Sequence, residues 1–184
     1  MKKLLILIAA ALLLTGCGAK GTEGTKDADK PAVNNPGTEA PANPGNSQEG
    51  FSFENGGVTV PMNVDAAPVV KSLGEPVEYF EAASCAFQGL DKIYYYNGFE
   101  VGTYPNGDKD YVSYVNLLDD SVATDKGIYL GSTKEDVIAA YGEDFTAEGS
   151  SMVYRLGETK LTFILEDDAV ASITYAAIVE GLNN

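Results

Sequence analysis

The apolar and polar positions between Thr133 and Gly142 predict a capped amphipathic helix. Thr133 is a favourable N-cap residue, and Asp136 stands three positions later, as in a capping box. Gly142 occupies the place where helices commonly end in a left-handed residue. The apolar side chains at helical spacing, which we expect to face a sheet, are Val137, Ile138 and Tyr141. The preceding residues lack the Gly-Lys-Ser/Thr of a phosphate-binding loop, so a nucleotide site is not predicted here.

A similar pattern precedes this helix by 68 residues. Asp65 replaces Thr133 as the N-cap residue, and Gly74 replaces Gly142 at the end of the helix. Pro68 falls in the first turn, where its missing N–H group is not needed. The two segments therefore predict two short helices of the same design.

The chain after each helix alternates in the way that strands do. Residues 93–115 align without gaps on residues 152–174, and each segment predicts three strands. The predicted turns are Asn97-Gly98, Pro105 to Asp110, Gly157-Glu158 and Asp167-Asp168. We therefore expect an α+β fold, a tandem repeat of helix plus three strands. Its six strands would form one antiparallel sheet with both helices on one face. Repeat 1 covers about 58–118, with a nine-residue insertion within 75–92, and repeat 2 covers about 127–177.

The first 50 residues predict a targeting signal followed by a tether, and no folded domain. Residues 1–16 combine Lys2 and Lys3 with an apolar run, as in a signal peptide. The motif Leu-Thr-Gly-Cys that ends at Cys17 resembles the lipobox of bacterial lipoproteins, where the cysteine is acylated. An ordinary cleaved signal peptide with a chance cysteine is the alternative. Residues 17–50 are poor in large apolar side chains, so we expect a disordered, lipid-anchored tether before a domain at 51–184.

Charge and composition exclude several functions. Residues 51–184 contain 22 acidic and 7 basic side chains, the opposite of what nucleic-acid binding requires. The chain has no histidine, so catalytic triads and the commonest transition-metal ligand are missing. We expect no cofactor, no metal ion and no enzymatic activity. With Cys17 acylated, Cys85 is left alone, either as a small buried apolar residue or as a reactive thiol.

Five tyrosines and one aspartate of repeat 1 are the candidates for binding. Alternation places Tyr94 and Tyr96 on one face of a strand and Tyr95 on the other. The pattern of the third strand leaves open whether Tyr111 or Tyr114 faces solvent. Tyrosine suits an exposed binding surface, and it is equally an ordinary strand residue. The turn at 106–110 is read as a plain hairpin, with calcium binding as the alternative. The predicted partner-binding residues are Tyr94, Tyr96, Tyr104, Asp108, Tyr111 and Tyr114.

The segment 129–142, with the tandem pattern around it, resembles two families. One is the SmpA/OmlA type of small outer-membrane-assembly lipoprotein, and the other has the β-lactamase-inhibitory-protein-like fold. The layout is also similar to that of lipoproteins of Gram-positive anaerobes. The resemblance covers roughly residues 58–177 and implies a concave sheet that binds a protein. By the match of residues 107–114 to the inhibitor's binding loop, it implies that Asp108, Tyr111 and Tyr114 make the contacts.

The sequence as a whole predicts a lipid-anchored, non-enzymatic binding module on the extracytoplasmic face of the cell membrane. The partner would be an envelope protein or a cell-wall component, held by the sheet surface. The alternatives are a secreted-enzyme inhibitor, an envelope-assembly accessory, and a hydrolase that depends on carboxylates.

Overall fold

The computed structural model describes residues 49–182, which form two helices and ten strands. The helices are α1 (Ala66–Leu73) and α2 (Lys134–Tyr141). The strands are β1 (Ser52–Asn55), β2 (Val58–Pro61), β3 (Glu78–Ala83), β4 (Leu90–Tyr96), β5 (Phe99–Asn106), β6 (Lys109–Leu117), β7 (Thr146–Glu148), β8 (Ser151–Leu156), β9 (Thr159–Glu166) and β10 (Ala169–Ala177). The signal peptide at 1–16, Cys17 and the tether as far as residue 48 lie outside the described residues.

The predicted fold class is wrong. The structure is mostly β, with 49% strand and 12% helix, and one eight-stranded antiparallel sheet dominates it. It is therefore not an α+β repeat of helix plus three strands with the helices on one face. Strands β1, β2, β3 and β7 were not predicted. The outer strands β3 and β7 are exposed at every position, so neither shows the buried–exposed alternation that identifies a strand.

The large sheet has the strand order β3-β4-β5-β6-β10-β9-β8-β7. Strands β3, β4, β5 and β6 pair in sequence order on one side of the sheet, and β7, β8, β9 and β10 do so on the other. The two sets meet where β6 pairs with β10. All four predicted turns are present between the central strands, and Gly98 and Gly157 have positive φ angles of 82° and 57°. The order leaves β3 and β7 as the free edges of the sheet.

The two predicted helices begin and end as expected. The Asp65 side chain accepts a hydrogen bond from the Ala67 N–H group, and Thr133 forms the predicted capping box with Asp136. Gly74 and Gly142 follow the last helical residues with φ angles of 85° and 87°, a conformation that side chains with a Cβ rarely adopt. Each helix has only eight residues, so packing rather than intrinsic propensity must hold it.

One core cluster joins the helices, the β1–β2 hairpin and a face of the large sheet. Phe53 of β1 and Val60 of β2 are fully buried, and the Phe53 ring lies 4.9 Å from the Phe99 ring, centre to centre. Val137 of α2 is fully buried as predicted, and Tyr141 packs beside Tyr154 and Phe163. The hairpin therefore covers core that the sequence prediction had assigned to the helices alone.

A β-bulge in β6 determines which side chains enter this core. Gly102 pairs with Tyr114 and the next residue of β5, Thr103, pairs with Val112, so Ser113 is the extra residue. The bulge allows Val112 and Val115 to be fully buried on the same face, although simple alternation would separate them. Tyr114 is thereby directed to the opposite face, and this resolves the ambiguity of the third strand.

No helix within the described residues is long and apolar enough to span a bilayer.

Candidate functional site

The face of the large sheet opposite the core cluster, called the open face below, carries a row of linked polar side chains. The Asn116 amide donates to Glu100 Oε1 at 2.8 Å, and the Thr174 hydroxyl donates to Asn116 Oδ1 at 2.7 Å. These three residues are cross-strand neighbours on β5, β6 and β10, which places their side chains on one face. On its central strands the open face is formed by Ile93, Tyr95, Glu100, Tyr114, Asn116 and Thr174.

Gly102 determines the shape of the open face. It lies between Ile93 of β4 and Tyr114 of β6, and the Tyr114 ring leans across it. A Cβ atom at this position would lie only 2.1 Å from Cε1 of Tyr114. A glycine inside a strand often marks a close approach of another group, and here that group is the tyrosine ring.

A cavity of about 360 Å³ lies beside Gly102, near the first residues of β4 and the second half of β5. Its walls come from the sheet, from the β3–β4 loop and from the segment that follows β10. The residues that line it include Cys85, Ala86, Asp91, Ile93, Tyr114 and Gly181. Its volume is at the small end of the range for ligand sites.

One of the residues that line the cavity, Asp91, has a carboxylate oxygen without a partner. Asp91 Oδ1 is buried and has no hydrogen-bond partner in the described part of the chain. Lys92 also lines the cavity, and its ammonium group forms an ion pair with the Asp110 carboxylate at 2.7 Å. The hydrogen bond to Asp110 raises the pKa of Lys92, so this lysine remains charged and engaged. An unpaired buried acceptor is costly, which makes Asp91 the chemically most unusual residue of the open face.

Tyr114 lines this cavity and carries a neutral hydroxyl group. Burial, followed by the nearby Glu100 carboxylate, raises the pKa of Tyr114 far above its ordinary value, and Asp91 acts in the same direction. The phenol therefore stays protonated at any physiological pH. It offers an aromatic surface together with one polar group, a combination that is common in binding sites.

The structure does not gather the six predicted residues into one surface. Tyr96 is only 9% exposed and stacks on Phe99 in the core, while Tyr94 packs against the same core from the same face. These two share a face as predicted, but it is the interior face. Tyr96 is therefore enclosed and Tyr94 is partly buried, and neither lies on the open face.

Tyr104 and Tyr111 also pack inside the molecule. Tyr104 is 1% exposed, its hydroxyl donates to the Asn63 side chain, and its ring contacts Phe87 and Tyr111. Burial raises the pKa of Tyr104 to about 12. Among the predicted residues, Tyr104 and Tyr114 both line the cavity, and Tyr111 is only partly buried beside Tyr104. Asp108 is exposed at the tip of the β5–β6 hairpin.

The calcium alternative for residues 106–110 finds no support in the hairpin geometry. The Asp110 carboxylate binds Lys92, and Lys109 binds Asp65 at 2.6 Å, so two of the three charged side chains of residues 106–110 are already paired. Within residues 49–182, no group of three or more histidine, cysteine or acidic side chains could hold a metal ion.

Cys85 differs from the leading expectation of a small buried apolar residue. It is an exposed free thiol in the β3–β4 loop, and it lies at the wall of the cavity. The insertion that contains it forms the edge strand β3 and this loop.

The residues missed by sequence reasoning are Asp91, Glu100, Gly102, Asn116 and Thr174. Only Gly102 carried a local signal, because a glycine in the middle of an apolar strand marks a bulge or a close contact. The others are ordinary strand residues whose importance depends on their cross-strand neighbours.

In comparisons with known proteins, no family model matches the sequence, and no curated protein or solved structure matches it.

Proposed function

We propose that this chain is a lipid-anchored envelope protein that binds a protein or cell-wall component through the open face, without catalysing a reaction. The observation that carries the proposal is the cavity beside Gly102, which is lined by Asp91, a residue whose buried Oδ1 lacks a partner. A concave site with a few convergent polar groups is the usual form of a binding site. The lipobox at Cys17 supports the location on the extracytoplasmic side of the membrane.

The polar groups of the open face support binding more than catalysis. General acid–base chemistry at a bond needs groups that can release and accept protons near neutral pH. The chain has no histidine, Glu100 accepts a hydrogen bond from Asn116, and Tyr114 holds its proton far above neutral pH. The side chains of Glu100, Asn116 and Tyr114 are suited to hold a ligand in place.

The test blocks the cavity and measures capture of envelope material. Ala86 is exposed at the cavity wall, so Ala86→Trp should obstruct the cavity without disturbing the core. Ala139 is exposed on α2, and Ala139→Trp is a matched control. The purified full chain is mixed separately with peptidoglycan sacculi and with detergent-solubilised membrane proteins, and the bound fraction is measured by sedimentation or cross-linking.

We expect the wild type and Ala139→Trp to be captured by one of these two preparations and Ala86→Trp to be captured at least fivefold less. Equal capture of the two tryptophan variants would show that the open face is not the contact surface. Failure of the wild type to bind either preparation would contradict the proposed function itself.

A further inference from the structure

We propose that the cavity beside Gly102 recognises a primary ammonium group, with Asp91 as its counter-ion. This inference rests on the proposed function, because it names the chemistry that the same cavity would select. It is carried by the unpaired carboxylate oxygen, by the engagement of the neighbouring cations and by the shape of the cavity.

The unpaired oxygen of Asp91 has no hydrogen-bond donor within the described residues. Its own neighbours in the strands do not supply one, and Lys92 and Lys109 are held by Asp110 and Asp65. A buried carboxylate gains most from a charged donor, because such hydrogen bonds are about twice as strong as neutral ones. An ammonium group would supply both the missing hydrogen bond and the missing charge.

The surroundings suit an amine with a short carbon stem. Ile93 and the ring of Tyr114 provide apolar surface on the sheet side, and Gly181 closes the opposite wall without a side chain. The absence of a Cβ at Gly102, the neighbour of Ile93 on β5, gives the Tyr114 ring the room to take this position. A cavity of about 360 Å³ accommodates a group the size of a lysine side chain rather than a large cofactor.

The charge of the whole domain acts in the same direction. Residues 51–184 carry 22 acidic and 7 basic side chains, so the surrounding potential attracts cations and repels anionic ligands. This long-range attraction is not selective, and the selectivity must come from Asp91. Any experiment must therefore separate the local contact from the general charge.

The experiment titrates the full chain, with Cys17→Ser so that Cys85 is the only thiol, with three probes of equal length. These are butylamine, butan-1-ol and butyrate, at constant ionic strength. Amide chemical shifts of Ile93 and Gly102 report occupancy, and the rate at which iodoacetamide alkylates Cys85 reports access to the cavity wall. We expect butylamine to shift both amides saturably and to slow alkylation, and the other two probes to do neither.

The variants Asp91→Asn and Asp120→Asn separate the two electrostatic effects. Both remove one negative charge, and Asp120 is exposed in the loop after β6. We expect Asp91→Asn to weaken butylamine binding at least tenfold and Asp120→Asn to change it less than twofold. An equal response of the two variants, or equal binding of butylamine and butan-1-ol, would overturn the inference.

A fourth probe distinguishes the source of the ammonium group. Nα-acetyl-lysine methylamide presents the same group on a peptide, and tighter binding than butylamine would assign the site to a lysine of a protein or peptide. Weaker binding would assign it to a small free amine. If Ala86→Trp abolishes capture of envelope material while butylamine fails to bind, the amine inference is wrong and the proposed function stands. If butylamine binds through Asp91 while neither preparation is captured, the proposed function is wrong and the amine site stands.

Discussion

At the scale of single residues, Gly102 has more influence on the open face than any charged side chain. Its missing Cβ allows the Tyr114 ring to lie across β5, and Tyr114 in this position lines the cavity. No positive φ angle is involved, so the requirement for glycine is purely steric. A single added methyl group therefore tests the arrangement.

We predict that Gly102→Ala lowers the free energy of unfolding by about 1–3 kcal/mol, the usual cost of overpacking. The new Cβ would lie 2.1 Å from the Tyr114 ring, which must then move. Urea denaturation of a double-mutant cycle checks the cause. In a Tyr114→Ala background the same change should cost much less, and an equal cost in both backgrounds would mean that the strain lies elsewhere.

The capping box of α2 predicts a dependence of stability on pH. Hydrogen bonds from the Thr133 hydroxyl and then from its backbone N–H group lower the pKa of Asp136 below its ordinary value of 3.8. Because the folded state favours the ionised form, Asp136 stabilises the fold above that value and loses its effect as the pH falls through the lowered pKa. Asp136→Asn should therefore be less stable than the wild type at pH 7. Melting curves at decreasing pH should show the difference closing below about pH 3.8, and a gap independent of pH would exclude this mechanism.

At the scale of elements, the β1–β2 hairpin is a structural part of the core rather than a flexible lead-in. Phe53 is fully buried between the rings of Phe99 and Tyr175, and the backbone N–H of Phe51 donates to the Thr159 hydroxyl at 2.7 Å. The hairpin thus connects the start of the domain to both halves of the large sheet. Its removal would expose the core between the two helices.

We predict that Phe53→Ala lowers the free energy of unfolding by about 3–5 kcal/mol, as expected for a large buried aromatic side chain. Glu54→Ala is the matched control, because Glu54 is the next residue of β1 and is exposed. Its effect should stay within about 0.5 kcal/mol. Guanidinium denaturation measures both values, and a small effect of Phe53→Ala would mean that the hairpin detaches from the folded domain in solution.

At the scale of the whole molecule, the proposed anchor and the acidic domain act together. Two acyl chains on Cys17 would hold the protein at the membrane, and the negative domain would be repelled from anionic lipid headgroups. Such a domain would present its open face to soluble or wall-bound partners rather than to the bilayer.

We predict that Cys17→Ala abolishes incorporation of a fatty-acid probe and releases the protein from the membrane fraction or leaves its precursor uncleaved. The apolar run of the signal is too short to serve as a stable span, so acylation should be the only anchor. Metabolic labelling followed by fractionation measures both effects. Equal labelling of the wild type and the variant would contradict the assignment of the lipobox.

The sequence alone determined the local features of this protein. The caps at Asp65 and Thr133, the glycines after both helices and the turns between the central strands were predicted correctly, because each depends on a few neighbouring residues. The exposed edge strands and the fold class were not, since pattern analysis detects strands by a buried face that β3 and β7 lack. The β1–β2 hairpin does have a local turn signal, because Gly56-Gly57 forms its two-residue loop.

Only the tertiary structure decided which face of the sheet is open and what lies on it. The bulge at Ser113 depends on the register between β5 and β6, and it alone sends Tyr114 away from the core. The cavity joins Asp91 to the β3–β4 loop and to the segment after β10, which are far apart in the chain. A site assembled from such distant parts has no period or motif in the sequence, because its chemistry arises from cross-strand neighbours that only the folded sheet brings together.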